Sequence, residues 1–361
     1  MTDTIPRFKR RKHPDMSVLL HIGSPKTATT SLQQFAFNSA NGFYPLGRFG
    51  AGHGECASEL LNELIREGLF LHEADWERRK QDYAEEVTNH LEKAVDQGLR
   101  PVLSQEGILG RAGHGAVSER LRRLKWLFGD EAEVVMVIRE QLALLKSYYS
   151  TCVFDMGLSL SFEEYLGRSI SYPTWPINKM PFLDFHQVHR TIKGEFSQST
   201  VFVFESLFEG TTAQAFQTLF NLNLSDVPKS NPSRSKRQIN VMRSFNRAFP
   251  RGYSAAEESP PSKRWYPENQ RLLERASGES SSLNSEESER LQTCNLNYLG
   301  RSLGADTDSA VRILATARKP VFQGDPFRIS DALENQIKDY YRTGNAQLSE
   351  SLDLNLAAYG Y

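Results

Sequence analysis

The chain has 361 residues, 39% hydrophobic and 24% charged, a balance that excludes disorder over its whole length and allows a sizeable core. Its 43 Lys+Arg stand against 44 Asp+Glu, a formal charge of −1, so it lacks the basic excess of a general nucleic-acid binder. Cys56, Cys152 and Cys294 lie far apart without CxxC or Cys/His spacing, a pattern that suggests neither a disulfide framework nor a zinc site and fits a reducing compartment.

The first stretch, "MTDTIPRFKRRKHPDM", is basic from Arg7 to Lys12 with no apolar run after it of signal-peptide type. Residues 1–15 are expected to be a flexible N-terminus. No run anywhere approaches the ~18–20 apolar residues of a membrane helix, and the expectation is a cytoplasmic chain without a membrane span. "SVLLHI" (17–22) then reads as a buried strand that runs into "HIGSPKTATTS" (21–31). A strand, a short loop with Gly23 and Ser24, and a helix starting near Thr29 aim backbone N–H groups and the positive helix end at one spot. Lys26 adds a full charge there, and Thr27, Thr29, Thr30 and Ser31 add hydroxyls, which together describe a cradle for a phosphate-type anion. The spacing does not fit a nucleotide P-loop, G-x-x-x-x-G-K-[ST]: Pro25 precedes Lys26, and only two residues separate Gly23 from it.

Trp76, Tyr83, Val87, Leu91 and Ala94 mark one face of a helix ending near Gly98. "PVLS" (101–104) is a strand followed by Glu106 in "SQEG", and helical patterns cover 116–128. "AEVVMVI" (132–138) is a buried strand ending in Arg139, and the helix predicted over 141–155 carries Ser147. A helix at 181–192, the strand "TVFVFE" (200–205) and a helix at 211–220 complete the pattern. Continuous apolar strands alternating with helices predict a three-layer α/β/α, P-loop-like domain with a mostly parallel sheet over 16–250. After Phe220 the chain turns polar, and "KSNPSRSKRQ" (229–238) sets Ser233 and Arg234 in a local basic loop before a helix. Residues 251–361 are expected to be a loop-rich and helical extension packed on the main domain, with helices in "AVRILATA" and "LENQIKDYYRTGNAQLSESL".

The loop at 21–31 resembles the 5′-phosphosulfate-binding loop of sulfotransferases, written G-x-x-K-[TS]-G-T-T, and departs from it at Ala28, where glycine is usual. Arg139 at a strand end with Ser147 eight residues on resembles the family's 3′-phosphate site, and the guanidinium suits a forked, permanently charged phosphate contact. "SQEG" looks like the position of the acceptor-deprotonating glutamate in polysaccharide-type members, and Y-x-x-x-N-x-x-L followed by Y-G-Y resembles the close of many bacterial sulfotransferase-domain proteins. The resemblance implies transfer of a sulfuryl group from 3′-phosphoadenosine 5′-phosphosulfate to a hydroxyl or amine of a small-molecule or saccharide acceptor, with no metal required. It implies Lys26 and Glu106 as catalytic residues, and Gly23, Ser24, Lys26, Thr27, Ala28, Thr29, Thr30, Arg139, Ser147, Ser233 and Arg234 as the donor site.

Other readings stay open on sequence. His21, His53 and His114 compete with Glu106 as the base. Phe43, Tyr44, Tyr172, Trp175, Trp265 and Tyr266 are candidates for stacking on a sugar or for packing. A divergent P-loop kinase or nucleotidase, or a non-catalytic protein keeping the fold, are the alternatives.

Overall fold

The computed structural model describes residues 17–24, 26–49, 55–110, 117–155, 158–171, 183–207, 210–221, 234–248 and 322–361. The sequence predictions for Ser233, His53, His114, Cys294, Tyr172, Trp175, Trp265, Tyr266 and "AVRILATA" lie outside them. Described residues fall into two units, one drawn from Met1–Leu144, Ser169–Pro232 and Asn335–Tyr361, the other from Leu145–Arg168 and Ser233–Glu334.

Six strands build the sheet of the first unit: β1 (Leu19–His21), β2 (Phe43–Phe49), β3 (Glu55–Cys56), β4 (Arg100–Gln105), β5 (Glu133–Ile138) and β6 (Gln198–Val203). Their order is β3-β2-β4-β1-β5-β6. Only β3 pairs antiparallel, with β2; the other neighbours are parallel, so the fold is the expected α/β with a mostly parallel sheet. The helices between strands are α1 (Thr29–Ser31), continued by a π-helical turn Leu32–Ala36, then α2 (Glu59–Arg66), α3 (Glu73–Asp96), α4 (Gly107–Gly110), α5 (Val117–Phe128), α6 (Gln141–Asp155), α7 (Phe162–Ser171), α8 (Phe185–Glu195) and α9 (Gly210–Phe220). Two more follow among the described residues, α10 (Lys236–Ala248) and α11 (Asp331–Leu352).

The apolar runs explain the layering. In a strand successive side chains alternate faces, so a run buried on both faces must be continuous. Leu19, Val102, Val135 and Val137 pack with Leu32, Phe37, Phe216 and Phe220 on one face. Leu20, Leu103, Val134 and Met136 alternate to the other face and are also fully buried. Each such side chain contributes roughly 1.5–3 kcal/mol on leaving water, which makes the short β1 the centre of the domain. At the edge where the strands begin, Arg100 donates to Glu133 Oε2 at 2.6 Å and to the Ser17 carbonyl at 3.1 Å, tying β4, β1 and β5 together.

The predicted helix with Trp76, Tyr83, Val87 and Ala94 on one face is α3; those four are buried, and Gly98 closes it at φ 65°. β2 has no counterpart among the sequence expectations. Its register shifts between Pro45 and Gly47, and this irregularity breaks the apolar run in "FYPLGRF" that would have announced a strand.

In the second unit, Tyr149, Phe162, Tyr165 and Phe327 form an aromatic cluster with ring centroids 5.2–6.5 Å apart. Arg243 there donates to the Leu160 carbonyl at 3.0 Å and lies 4.0 Å from the centre of the Phe322 ring. No helix among the described residues is long and apolar enough to cross a membrane.

Candidate anion-binding and proton-transfer site

In an open parallel sheet, ligands bind beyond the carboxyl ends of the strands, where successive connections leave in opposite directions. Here the chain leaves β1 toward β2 on one side and leaves β5 toward β6 on the other, so that point lies between β1 and β5. The loop after β1 carries Gly23, Ser24 and Lys26; Arg139 follows β5; Glu106 follows β4, the other neighbour of β1.

The loop is tightly wound. Lys26 and Ala28 both have left-handed backbones, φ 70° and φ 64°, a conformation that costs an L residue about 1–2 kcal/mol. Ala28 is the N-cap of α1 and supplies no side-chain cap. Instead the hydroxyl of Thr27 donates to the Ser24 carbonyl at 2.6 Å, and that of Thr29 reaches the same carbonyl at 3.4 Å. Both threonines are thus committed to holding the loop's own backbone. Thr30 and Ser31 are half-buried at the helix start. Ser24 is fully buried, and its hydroxyl has no hydrogen-bond partner among the described residues.

Gly23 is required for close approach. A Cβ there would stand 2.8 Å from His21 Nε2 and 3.2 Å from Thr29 Oγ1. His21, in β1 beneath the loop, is a packed residue: Nδ1 lies 2.8 Å from Ser104 Oγ, and the ring sits against Phe37 and Phe220. Burial lowers its pKa to about 3, so the imidazole stays neutral. Gln33, on the π-helical turn, donates to the same Ser104 hydroxyl at 3.0 Å, so a buried amide, hydroxyl and imidazole support the loop from below.

Glu106 is the group with unusual acidity. Burial raises its carboxyl to about 7, and the ammonium of Lys26 opposes that rise. The two side chains are therefore close enough to feel one another at one edge of the sheet. Arg139 reaches into the loop: Nη1 donates to the carbonyl of Lys26 at 3.1 Å, and the guanidinium lies 4.8 Å from the centre of the Phe204 ring. Its Nε is buried without a partner among the described residues. Burial lowers the Arg139 pKa, with the carboxylates of Glu205 and Glu140 opposing.

The first unit thus carries Gly23, Ser24, Lys26, Thr27, Ala28, Thr29, Thr30, Glu106 and Arg139, and the second carries Ser147 and Arg234. Ser147 is on α6, where its carbonyl accepts from Thr151 at 3.4 Å; Arg234 just precedes α10, and Lys236 at the start of α10 pairs with Asp325 at 2.6 Å.

Glu205 is the site-edge residue that sequence reasoning passed over. It ends the apolar run "TVFVFE" and so reads as strand on sequence; β6 ends at Val203, and Glu205 lies in the 3-10 turn after it. Among the described residues no group of three or more His, Cys, Asp and Glu is arranged to hold a metal ion.

No family model matches this chain, and no curated protein matches it. Among solved structures, a sulfotransferase from Alicyclobacillus acidocaldarius is similar over 96% of this chain and 99% of its own, at 13% identity and a TM-score of 0.44.

Proposed function

We propose that the chain is a sulfotransferase that moves a sulfuryl group from 3′-phosphoadenosine 5′-phosphosulfate to a hydroxyl or amine of a saccharide or other polar metabolite. The observation that carries the reading is that the tight glycine-containing loop with Lys26, then Glu106 and Arg139, follow three neighbouring parallel strands at their carboxyl ends, where burial raises the Glu106 carboxyl to about 7. A buried Ser24 hydroxyl and Arg139 Nε, both without partners, supply the unspent polar atoms that an anionic ligand would satisfy.

In this mechanism Lys26 and the N–H groups of the loop stabilise charge building on the departing 5′-phosphate, and Thr30 offers a further hydroxyl. Arg139 holds the 3′-phosphate by a forked, permanently charged contact. Glu106, as the carboxylate, takes the proton from the acceptor hydroxyl as its oxygen bonds to sulfur. The bond from sulfur to the 5′-phosphate oxygen breaks, and the bisphosphate leaves with that electron pair. A base whose pKa lies near neutrality combines a useful deprotonated fraction with a real driving force for proton uptake. The chemistry is in-line displacement, so catalysis is positioning and charge stabilisation, as in phosphoryl transfer.

The test is transfer of labelled sulfate from the donor to a panel of saccharides, amines and small alcohols. Turnover is expected for the native chain, with a loss of at least ~100-fold in Lys26→Ala, the scale of removing one charge-stabilising donor. Turnover unaffected by Lys26→Ala would remove Lys26 from the reaction.

A further inference from the structure

Beyond the site itself, a chain of hydrogen bonds leads from Glu140, the residue after Arg139, to the segment Leu356–Tyr361. The Tyr361 hydroxyl donates to Glu205 Oε2 at 3.1 Å, and Glu205 Oε1 accepts from the backbone N–H of Glu140 at 3.0 Å. Glu140 uses both carboxylate oxygens to cap α6, accepting from the N–H of Leu142 at 2.8 Å and of Ala143 at 2.7 Å. The residue before Glu140 is Arg139, whose guanidinium holds the carbonyl of Lys26. The charges of Glu205 and Glu140 and the phenol of Tyr361 are those that act on Arg139.

The same corner is held from a second direction. Asn345 of α11 and Gln141, the first residue of α6, exchange two buried amide hydrogen bonds of 2.7 Å and 3.1 Å. Ile337, Tyr341, Asn345 and Leu348 form the buried face of α11. Leu356 is buried, Gly360 turns at φ 90°, and the Tyr361 ring packs against Phe185 with centroids 6.2 Å apart. Burial raises the Tyr361 pKa, and the charge of Glu205 adds to the rise, so the phenol stays protonated and remains a donor.

We infer that Tyr361 is a positioning residue for the anion site: by holding Glu205 it keeps Arg139 on the carbonyl of Lys26 and so keeps Lys26 in its left-handed conformation beside Glu106. Without the phenolic O–H, Glu205 Oε2 loses its donor, and the nearby guanidinium of Arg139 becomes its replacement. Arg139 then leaves the Lys26 carbonyl, and the loop relaxes. The identity of the ligand rests on the sulfotransferase reading; the positioning itself does not.

Two measurements on the full chain separate these. In calorimetric titration with adenosine 3′,5′-bisphosphate, Tyr361→Phe is expected to bind about tenfold more weakly than the native chain, the scale of one hydrogen bond to a charged group. In an Arg139→Lys background the same change is expected to add no further loss. Equal affinity in Tyr361→Phe, or additive losses in the double variant, would overturn the inference. If the native chain binds no bisphosphate, the sulfotransferase reading fails, and the second measurement still decides the positioning. That measurement is the titration of the Glu106 carboxyl by carbon NMR, its resonance assigned with Glu106→Gln. Tyr361→Phe is expected to move the midpoint above that of the native chain, because the displaced Lys26 no longer opposes the effect of burial. An unmoved midpoint would overturn the inference, since loss of packing elsewhere would not change this one titration.

Discussion

Replacing Glu106 by glutamine tests the strangest property of the site without reference to any ligand. Burial raises the carboxyl from an ordinary 4.5 to about 7. The folded chain therefore binds this proton more tightly than the unfolded chain does, and folding is favoured by it below pH 4.5. As the pH rises from 4.5 to about 7, the unfolded chain releases the proton first, and stability falls across that window. A shift of this size corresponds to about 3 kcal/mol at 1.36 kcal/mol per unit. Glutamine has nearly the shape of the protonated acid and no charge to desolvate. Glu106→Gln is thus expected to match the native chain near pH 4 and to exceed it in stability by up to about 3 kcal/mol near pH 8. Urea denaturation of both chains at pH 4, 6 and 8 reads the difference. A difference that is the same at all three pH values would refute the raised carboxyl and with it the case for Glu106 as a base.

Ala28→Gly removes a left-handed conformation that costs alanine about 1–2 kcal/mol, set against an unfolded-state entropy cost of ~0.4–1 kcal/mol for glycine. The variant is expected to be as stable as the native chain or up to about 1.6 kcal/mol more so, and a loss of about 1 kcal/mol or more in urea denaturation would contradict the loop geometry. As a control, Ala94→Gly inside α3 is expected to lose about 1 kcal/mol or more. Asn345→Leu removes the donor to the buried Gln141 Oε1 and is expected to cost about 1–3 kcal/mol, read by denaturation midpoint; an unchanged midpoint would show that the α11–α6 amide pair is not sustained.

The elements that position the site were legible because their burial is simple. β1, β4 and β5 are covered on both faces and β6 at its carboxyl end, so each appears as an apolar run, and three of them are followed by the candidate site residues: the loop with Gly23, Ser24, Lys26 and Ala28, then Glu106 and Arg139. The oddity of Ala28 was legible too, as alanine standing where a left-handed residue is needed. What spacing did not reveal was the division of labour among the hydroxyls. A sequence presents Thr27, Thr29 and Thr30 as equal donors, but two of them turn inward to the Ser24 carbonyl of the tight loop. The surroundings of His21 were equally hidden: burial against Phe37 and Phe220 keeps its imidazole neutral. Glu205 meets Glu140, Asn345 meets Gln141 and Tyr361 meets Glu205 across separations of 65 to 204 residues, and no local pattern encodes such contacts. β2 escaped notice because Pro45 and Gly47 interrupt it at a register shift.

The most direct test of the central claim, that the Lys26 loop is built for a sulfate donor and not for a nucleoside triphosphate, is calorimetric titration of the native chain and of Lys26→Ala with adenosine 3′,5′-bisphosphate and, separately, with magnesium-ATP. The native chain is expected to bind the bisphosphate, Lys26→Ala to bind it much more weakly, and magnesium-ATP to give no saturable heat. Saturable binding of magnesium-ATP with none of the bisphosphate would contradict that claim.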